Sequence, residues 1–172
     1  MTNGQRTLVL VRHAKSSWEL DADDHERPLS SRGRRDGVAL GTLLQSVGVK
    51  PDLVLCSPAV RTRETWDRAV QGGARASEVR YEKQIYHAGV SELVALVREV
   101  SDAVLTLLML GHAPGIPDLV EHVARHPAEL DAWAQAAGKF PTSACATVTL
   151  SVPWRGLTPE VGKLTSFQVP RD

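Results

Sequence analysis

The run Thr7-Leu8-Val9-Leu10-Val11 passes without a spacer into Arg12-His13-Ala14-Lys15-Ser16. Five mostly apolar residues rich in β-branching predict a buried strand. Successive side chains on a strand point to opposite faces. Arg12 and His13 therefore converge on one ligand only if the strand stops there and the chain turns. Open α/β sheets bind ligands in the crevice outside the carboxyl ends of their strands. The position thus predicts a site, and a cation beside an imidazole predicts an anion as its occupant.

The same event recurs twice. Asp52-Leu-Val-Leu-Cys56 reads as a strand that breaks into Ser57-Pro58, and residues 104–110 form the most apolar run before Gly111-His112-Ala113-Pro114-Gly115. Between the strands lie helical patterns. One has Leu40, Leu43, Leu44 and Val47, with Ser30 or Ser31 as its cap and Gly48 at its close. A second is predicted from about Pro58 to Val70, with Ser57 as N-cap. A weaker strand is expected near Val79 to Glu82. A short helix through Leu93, Leu96, Val97 and Val100 follows, with Ser91 as cap, and another carries Ile116, Leu119, Val120, Val123 and Ala124. Residues 128–143 read as a partial helix and a loop. Two late strands, near Ala146 to Val152 and Leu164 to Val169, are too close in sequence for a helical crossover, so one runs antiparallel. The expected fold is an α/β three-layer sandwich, its central sheet mostly parallel with one antiparallel strand. Residues 1–172 form a single domain.

Composition narrows the function classes. Twenty Lys and Arg balance twenty Asp and Glu, so net charge offers no case for nucleic acid or an anionic membrane. No apolar run is long enough to span a bilayer. The short polar start, leading directly into the first strand, leaves no room for a signal peptide, and the expected location is cytoplasmic. Cys56 and Cys145 sit in apolar runs and read as small buried hydrophobes of a reducing compartment, with a cross-link left open.

If the three strands are parallel, their ends share one edge. That assembles Arg12, His13, Arg61 and His112 around an anion with several oxygens, which a phosphoryl group fits. Helix electrostatics support Arg61. Cations in a first helical turn are unfavourable by roughly 0.3–1 kcal/mol each, and a bound anion reverses that sign. Arg63 is assigned to solvent. Other features carry less. His122 and His126 stand four apart but lack a Glu between them, so no metal site is expected. Asp21, Asp23 and Asp24 read as loop solvation within the polar segment 18–28, with a cation site as the alternative. Arg32, Arg34 and Arg35 read as a solvated basic face that could otherwise meet an acidic partner. Trp18 either walls the pocket or packs. His25 and His87 have no assigned partner.

Arg12-His13-Ala14-Lys15-Ser16, Ser57-Pro58 with Arg61, and Gly111-His112, in that order, resemble the histidine phosphatase superfamily, whose fold is phosphoglycerate mutase-like. Arg-His-Ala-Lys-Ser itself, with Arg27-Pro28-Leu29-Ser30-Ser31-Arg32-Gly33, Gly111-His112-Ala113-Pro114 and Phe140-Pro141-Thr142, resembles its compact phosphohistidine phosphatase branch, the SixA type. The resemblance implies that His13 is a nucleophile forming a phosphohistidine intermediate. It implies that Arg12 and Arg61 clamp the non-bridging oxygens, that His112 donates to them, and that no metal or other cofactor is required. Ser16 would add either a hydroxyl to the substrate or a turn contact. Many superfamily members also carry an acidic general acid. Here the matching stretch is Tyr81-Glu82-Lys83-Gln84-Ile85-Tyr86, with Lys83 nearest the acid's place, which leaves Glu82, one position off, as the candidate acid. A leaving imidazole needs little acid assistance, so the expected substrate is phosphohistidine on a protein. The alternatives are a small phosphomonoester or sugar phosphate, or a phosphate-binding module without catalysis.

Overall fold

In the computed structural model, which describes residues 4–125 and 139–171, the opening run forms strand β1 (Arg6–Arg12) near the centre of a sheet. It is followed by α1 (Ser31–Ser46), β2 (Leu53–Cys56), α2 (Val60–Gln71), β3 (Glu78–Tyr81) and α3 (Val90–Arg98). Then come β4 (Thr106–Gly111), α4 (Gly115–Val123), β5 (Ala124–Arg125), β6 (Cys145–Leu150) and β7 (Gly162–Gln168). Among the described residues the sheet order is β3-β2-β4-β1-β6-β7-β5. β6 runs antiparallel to both neighbours, and every other pairing is parallel. The α/β sandwich with one reversed strand is the architecture expected.

Alternation along the central strands makes the three layers. Leu8 and Leu10, Leu53 and Leu55, and Leu107 and Met109 pack into one core with residues of α3 and α4. Val9 and Val11, Val54 and Cys56, and Leu108 and Leu110 pack into a second core with residues of α1 and α2. Strands buried on both faces read as unbroken apolar runs, and helical crossovers produce that burial. Glycine lets α1 approach its neighbours closely. A Cβ on Gly41 would lie 1.9 Å from the Ala69 carbonyl oxygen of α2, and one on Gly33 would lie 2.0 Å from that of Lys15.

Local boundaries depart from expectation where tertiary contacts outweigh sequence signals. α2 begins at Val60 with Ala59 at its N-cap, so Ser57 is not the cap. Ser57 is still held by the sheet, its N–H donating to Leu110 O at 3.0 Å. Its hydroxyl accepts from Ala59 N over a long 3.4 Å. α3 is capped by Gly89, whose N–H is taken by the Glu92 carboxylate at 3.0 Å, and Ser91 lies inside the first turn. Ser30, of the two serines considered, caps α1 by accepting from Gly33 N at 3.0 Å. The two-residue β5 has no periodicity to announce it. Most of the expected partial helix and loop at 128–143, and His126, lie outside the described residues.

Cys56 and Cys145 are buried and free. They sit on β2 and β6, two strands apart from being neighbours, so roughly 14 Å of sheet separates them. That is about twice the reach of a disulfide. No helix among the described residues is long and apolar enough to cross a membrane.

Candidate active site

Parallel pairing brings three strand ends to one edge. In register, Arg12 faces Gly111 across β1 and β4, and Cys56 faces Leu110 across β2 and β4. The residues that follow, His13, Ser57 and His112, therefore emerge side by side. His13 N donates to Gly111 O at 3.0 Å, and the His13 and His112 ring centroids are 5.3 Å apart. The turn after β1 is fastened from two sides. Ala14 N donates to the Thr65 hydroxyl of α2 at 2.9 Å, and Ser143 N donates to the carbonyls of Arg12 and His13 at 3.1 Å.

His13 is 7% exposed, and its Nδ1 lies 2.7 Å from the Ala14 carbonyl oxygen. A carbonyl only accepts, so Nδ1 carries the proton and Nε2 keeps its lone pair. Burial, with the nearby cations of Arg61, Arg12 and Arg27, pushes His13 down to about 3. It is a neutral imidazole through the physiological range. His112 is also pushed to about 3, by burial first and then by His13 and Arg61. Its Nε2 lies 2.7 Å from the Ser57 hydroxyl, the group released from helix capping.

Arg12 donates to Phe140 O at 2.7 Å. Arg61, 5% exposed in the first turn of α2, donates to the backbone oxygen of Asp24 at 2.5 Å and to its carboxylate at 3.1 Å. Burial, and then Arg61, lowers the Arg12 guanidinium from its usual range, as expected of two cations drawn together. Among the described residues, five buried side-chain polar atoms have no partner, and Arg12 Nε, Arg61 Nε and His112 Nδ1 are three of them. Buried donors are normally satisfied. Their clustering beside His13 marks a place shaped for an acceptor-rich group.

The site extends beyond the four expected residues. The segment 18–28 folds over it through a short 3₁₀ turn (Asp24–Glu26). There the Asp24 carboxylate accepts from Arg27 at 2.9 and 3.1 Å, from Arg61 and from the Tyr86 hydroxyl at 2.7 Å. Tyr86, Arg27 and Arg61 hold that carboxyl far below its usual range, so it is ionised. Arg27 also donates to the Ser16 hydroxyl at 2.6 Å and stacks on Trp18 at 3.6 Å from the ring centroid. Ser16 thus enters the site through Arg27, and Trp18, 73% exposed, covers that arginine. A cavity of about 270 Å³ adjoins the quartet, walled by Arg61, Tyr86, His87 and His112.

Sequence reasoning missed Asp24, Arg27, Tyr86 and Ser57 as site residues. Asp24 was hidden in an acidic cluster, and Ser57 carried a stronger capping signal. The residue signal for Arg27 was its place in Arg-Pro-Leu-Ser-Ser, which invited no chemistry until Asp24 lay beside it. Glu82 precedes the turn at 83–85, and among the described residues no hydrogen bond or ion pair joins its carboxylate to the quartet. Arg63 is exposed, as expected. Among the described residues no group of three or more potential ligands could hold a metal ion.

Comparison with known proteins shows what the chain as a whole is similar to. The model of the histidine phosphatase superfamily (branch 1) matches residues 8–85. A SixA-type protein from Nakamurella multipartitia superposes with a TM-score of 0.79 at 32% identity, covering 97% of both chains. The protein histidine phosphatase SixA complexed with tungstate superposes at 0.78 with 22% identity, over 95% of this chain and 97% of that one. An uncharacterised protein of Mycobacterium leprae is 33% identical over 165 residues, 94% of this chain and the whole of that protein.

Proposed function

Because the chain belongs to the histidine phosphatase superfamily, in its SixA-type branch, and is a phosphatase, we propose that it hydrolyses phosphohistidine on a cytoplasmic protein through a phosphorylated His13, without a metal. The observation that carries this reading is the set of unpartnered groups of Arg12, Arg61 and His112 beside an imidazole whose Nδ1 is tied to Ala14 O.

In the first step His13 Nε2 attacks phosphorus, and the bond from phosphorus to the substrate ring nitrogen breaks. A substrate ring protonated on its distal nitrogen leaves as neutral imidazole, and the positive charge passes to the phosphorylated His13. Water then adds to phosphorus, the bond to Nε2 breaks, and dihydrogen phosphate leaves with His13 neutral again. Arg12 and Arg61 hold the equatorial oxygens as charge spreads over them, work done by Mg²⁺ in many phosphoryl-transfer enzymes. His112, neutral in the free protein and oriented by Ser57, donates to the same oxygens.

Asp24 bears on the choice of substrate. An ionised carboxylate cannot protonate an alkoxide leaving group. It does favour a cationic, protonated phosphoimidazole at the mouth of the clamp. The reading therefore places phosphoramidates ahead of phosphomonoesters.

Turnover is to be compared on a phosphorylated histidine phosphotransfer domain and on p-nitrophenyl phosphate, with acid-quenched samples assayed for acid-labile, base-stable phosphate on the enzyme. We expect kcat/KM at least a hundredfold higher on the former, labelling that disappears in His13→Gln, and no loss of rate in EDTA. A preference for the ester would move the assignment to small phosphomonoesters. Full turnover by His13→Gln would overturn the mechanism.

A further inference from the structure

We propose that the groove between α1 and the chain after β7 docks an acidic polypeptide segment of the protein substrate; this rests on the protein-substrate reading above. The groove has a volume of about 960 Å³ and is lined by Arg34, Arg35, Arg68 and Arg171, with Val38 and Leu43 among its apolar surfaces. None of the described residues lining it is acidic. The Asp36 carboxylate, on α1, is 2% exposed and already bridged by Arg32 at 3.4 Å and Arg171 at 3.3 Å. In a chain of zero net charge, Arg34 and Arg68 thus bring two positive charges to one groove.

The chemistry of that surface is specific. Arg34 donates to Leu29 O and the Ser31 hydroxyl, and Arg68 to the Gln71 side-chain carbonyl. Those partners are neutral and leave both positive charges available. The guanidinium fork matches a carboxylate bidentately. Apolar surface between the arginines suits a peptide that intersperses acidic and aliphatic residues better than a compact inorganic anion. α1 has 16 residues, about 24 Å of length, which accommodates roughly seven residues of extended chain.

Position ties the groove to the site. Its Ser31 and Arg34 end adjoins the segment at residues 28–30, which is paired to the catalytic turn by Ser17 N to Pro28 O and Ser30 N to Lys15 O, each 2.8 Å. A segment lying along α1 therefore leads towards His13.

The test uses the full chain and a fluorescein-labelled ten-residue peptide alternating Glu and Leu, followed by fluorescence anisotropy. We expect binding that weakens about tenfold between 50 and 300 mM NaCl, as screening shortens the reach of charge. Arg34→Glu and Arg68→Glu, on different helices, should each weaken it about tenfold or more. Arg34→Gln guards against misfolding and should have a smaller effect in the same direction. In kinetics the Glu variants should raise KM for an acidic phosphorylated protein severalfold and leave kcat/KM on p-nitrophenyl phosphate unchanged. Failure of the peptide to bind, indifference of binding to all three variants, or stronger binding of tripolyphosphate than of peptide would overturn the proposal. So would an equal loss on p-nitrophenyl phosphate. Absence of phosphatase turnover in the unaltered protein speaks against the function proposed above, and the anisotropy still decides the groove.

Discussion

Asp24 is the residue on which the quartet's surroundings converge. Its carboxylate joins Arg27, Arg61 and Tyr86, so its charge bears on the electrostatics around the quartet. Asp24→Asn keeps the shape and removes the charge. It should lower kcat/KM on phosphohistidine by roughly ten- to a hundredfold, the size of a lost charge-assisted hydrogen bond. Hydrolysis of p-nitrophenyl phosphate should fall much less, so the ratio of the two rates is the measurement. The histidines make a second, pH-dependent prediction. Unfolded imidazoles protonate near 6.5, whereas His13 and His112 resist protonation to about 3 in the folded protein. Between those values the unfolded state binds more protons, so stability falls as pH drops from about 6.5 towards 3. Urea midpoints across that range should show the slope, and His13→Gln with His112→Gln should flatten it. The acid limb of kcat/KM should likewise lack an inflection near 6.5 from either imidazole.

At the scale of elements, what was legible in the sequence was whatever a single strand or helix expresses by itself. β1, β2 and β4 are buried on both faces and announced themselves as apolar runs, and their ends located Arg12 and His13, Arg61, and His112 in turn. What the sequence hid was tertiary. Ser57-Pro58 read as a helix start because capping is a local signal, yet the sheet kept Ser57 and passed its hydroxyl to His112. The segment at residues 18–28 has no period, and only its fold over the sheet edge turns Asp24 and Arg27 into site residues. The turn after β1 also depends on α1 beneath it. Gly33→Ala would put a methyl 2.0 Å from the Lys15 carbonyl oxygen, which must move the turn that carries His13. We expect a cost of about 1–3 kcal/mol in denaturant titration, the usual penalty of overpacking, together with a loss of kcat larger than any change in secondary structure by circular dichroism.

Across the whole molecule, the two cysteines report on integrity. Burial raises Cys56 well above the usual thiol range and pushes Cys145 up to about 12. Thiolate is the reactive form, so both should ignore a thiol reagent such as Ellman's reagent in native buffer and react together on unfolding. Non-reducing electrophoresis after mild oxidation should show no intramolecular cross-link, because β4 and β1 stand between them. A thiol that reacts early would indicate that one layer opens without the other.

The alternation of Leu8 and Leu10 against Val9 and Val11 has a consequence for quality control of the fold. Because each face of β1 supplies a different core, a slip of one residue against β4 would exchange the two sets of side chains. The same slip would draw Arg12 and His13 away from Gly111 and His112, since their alignment is the strand register itself. On the mechanism proposed above, a mispaired sheet is thus also an inactive one. Catalytic turnover per mole of purified protein is therefore a measure of folding fidelity, and insertion or deletion of a single residue within β1 is the lesion it would detect most sharply.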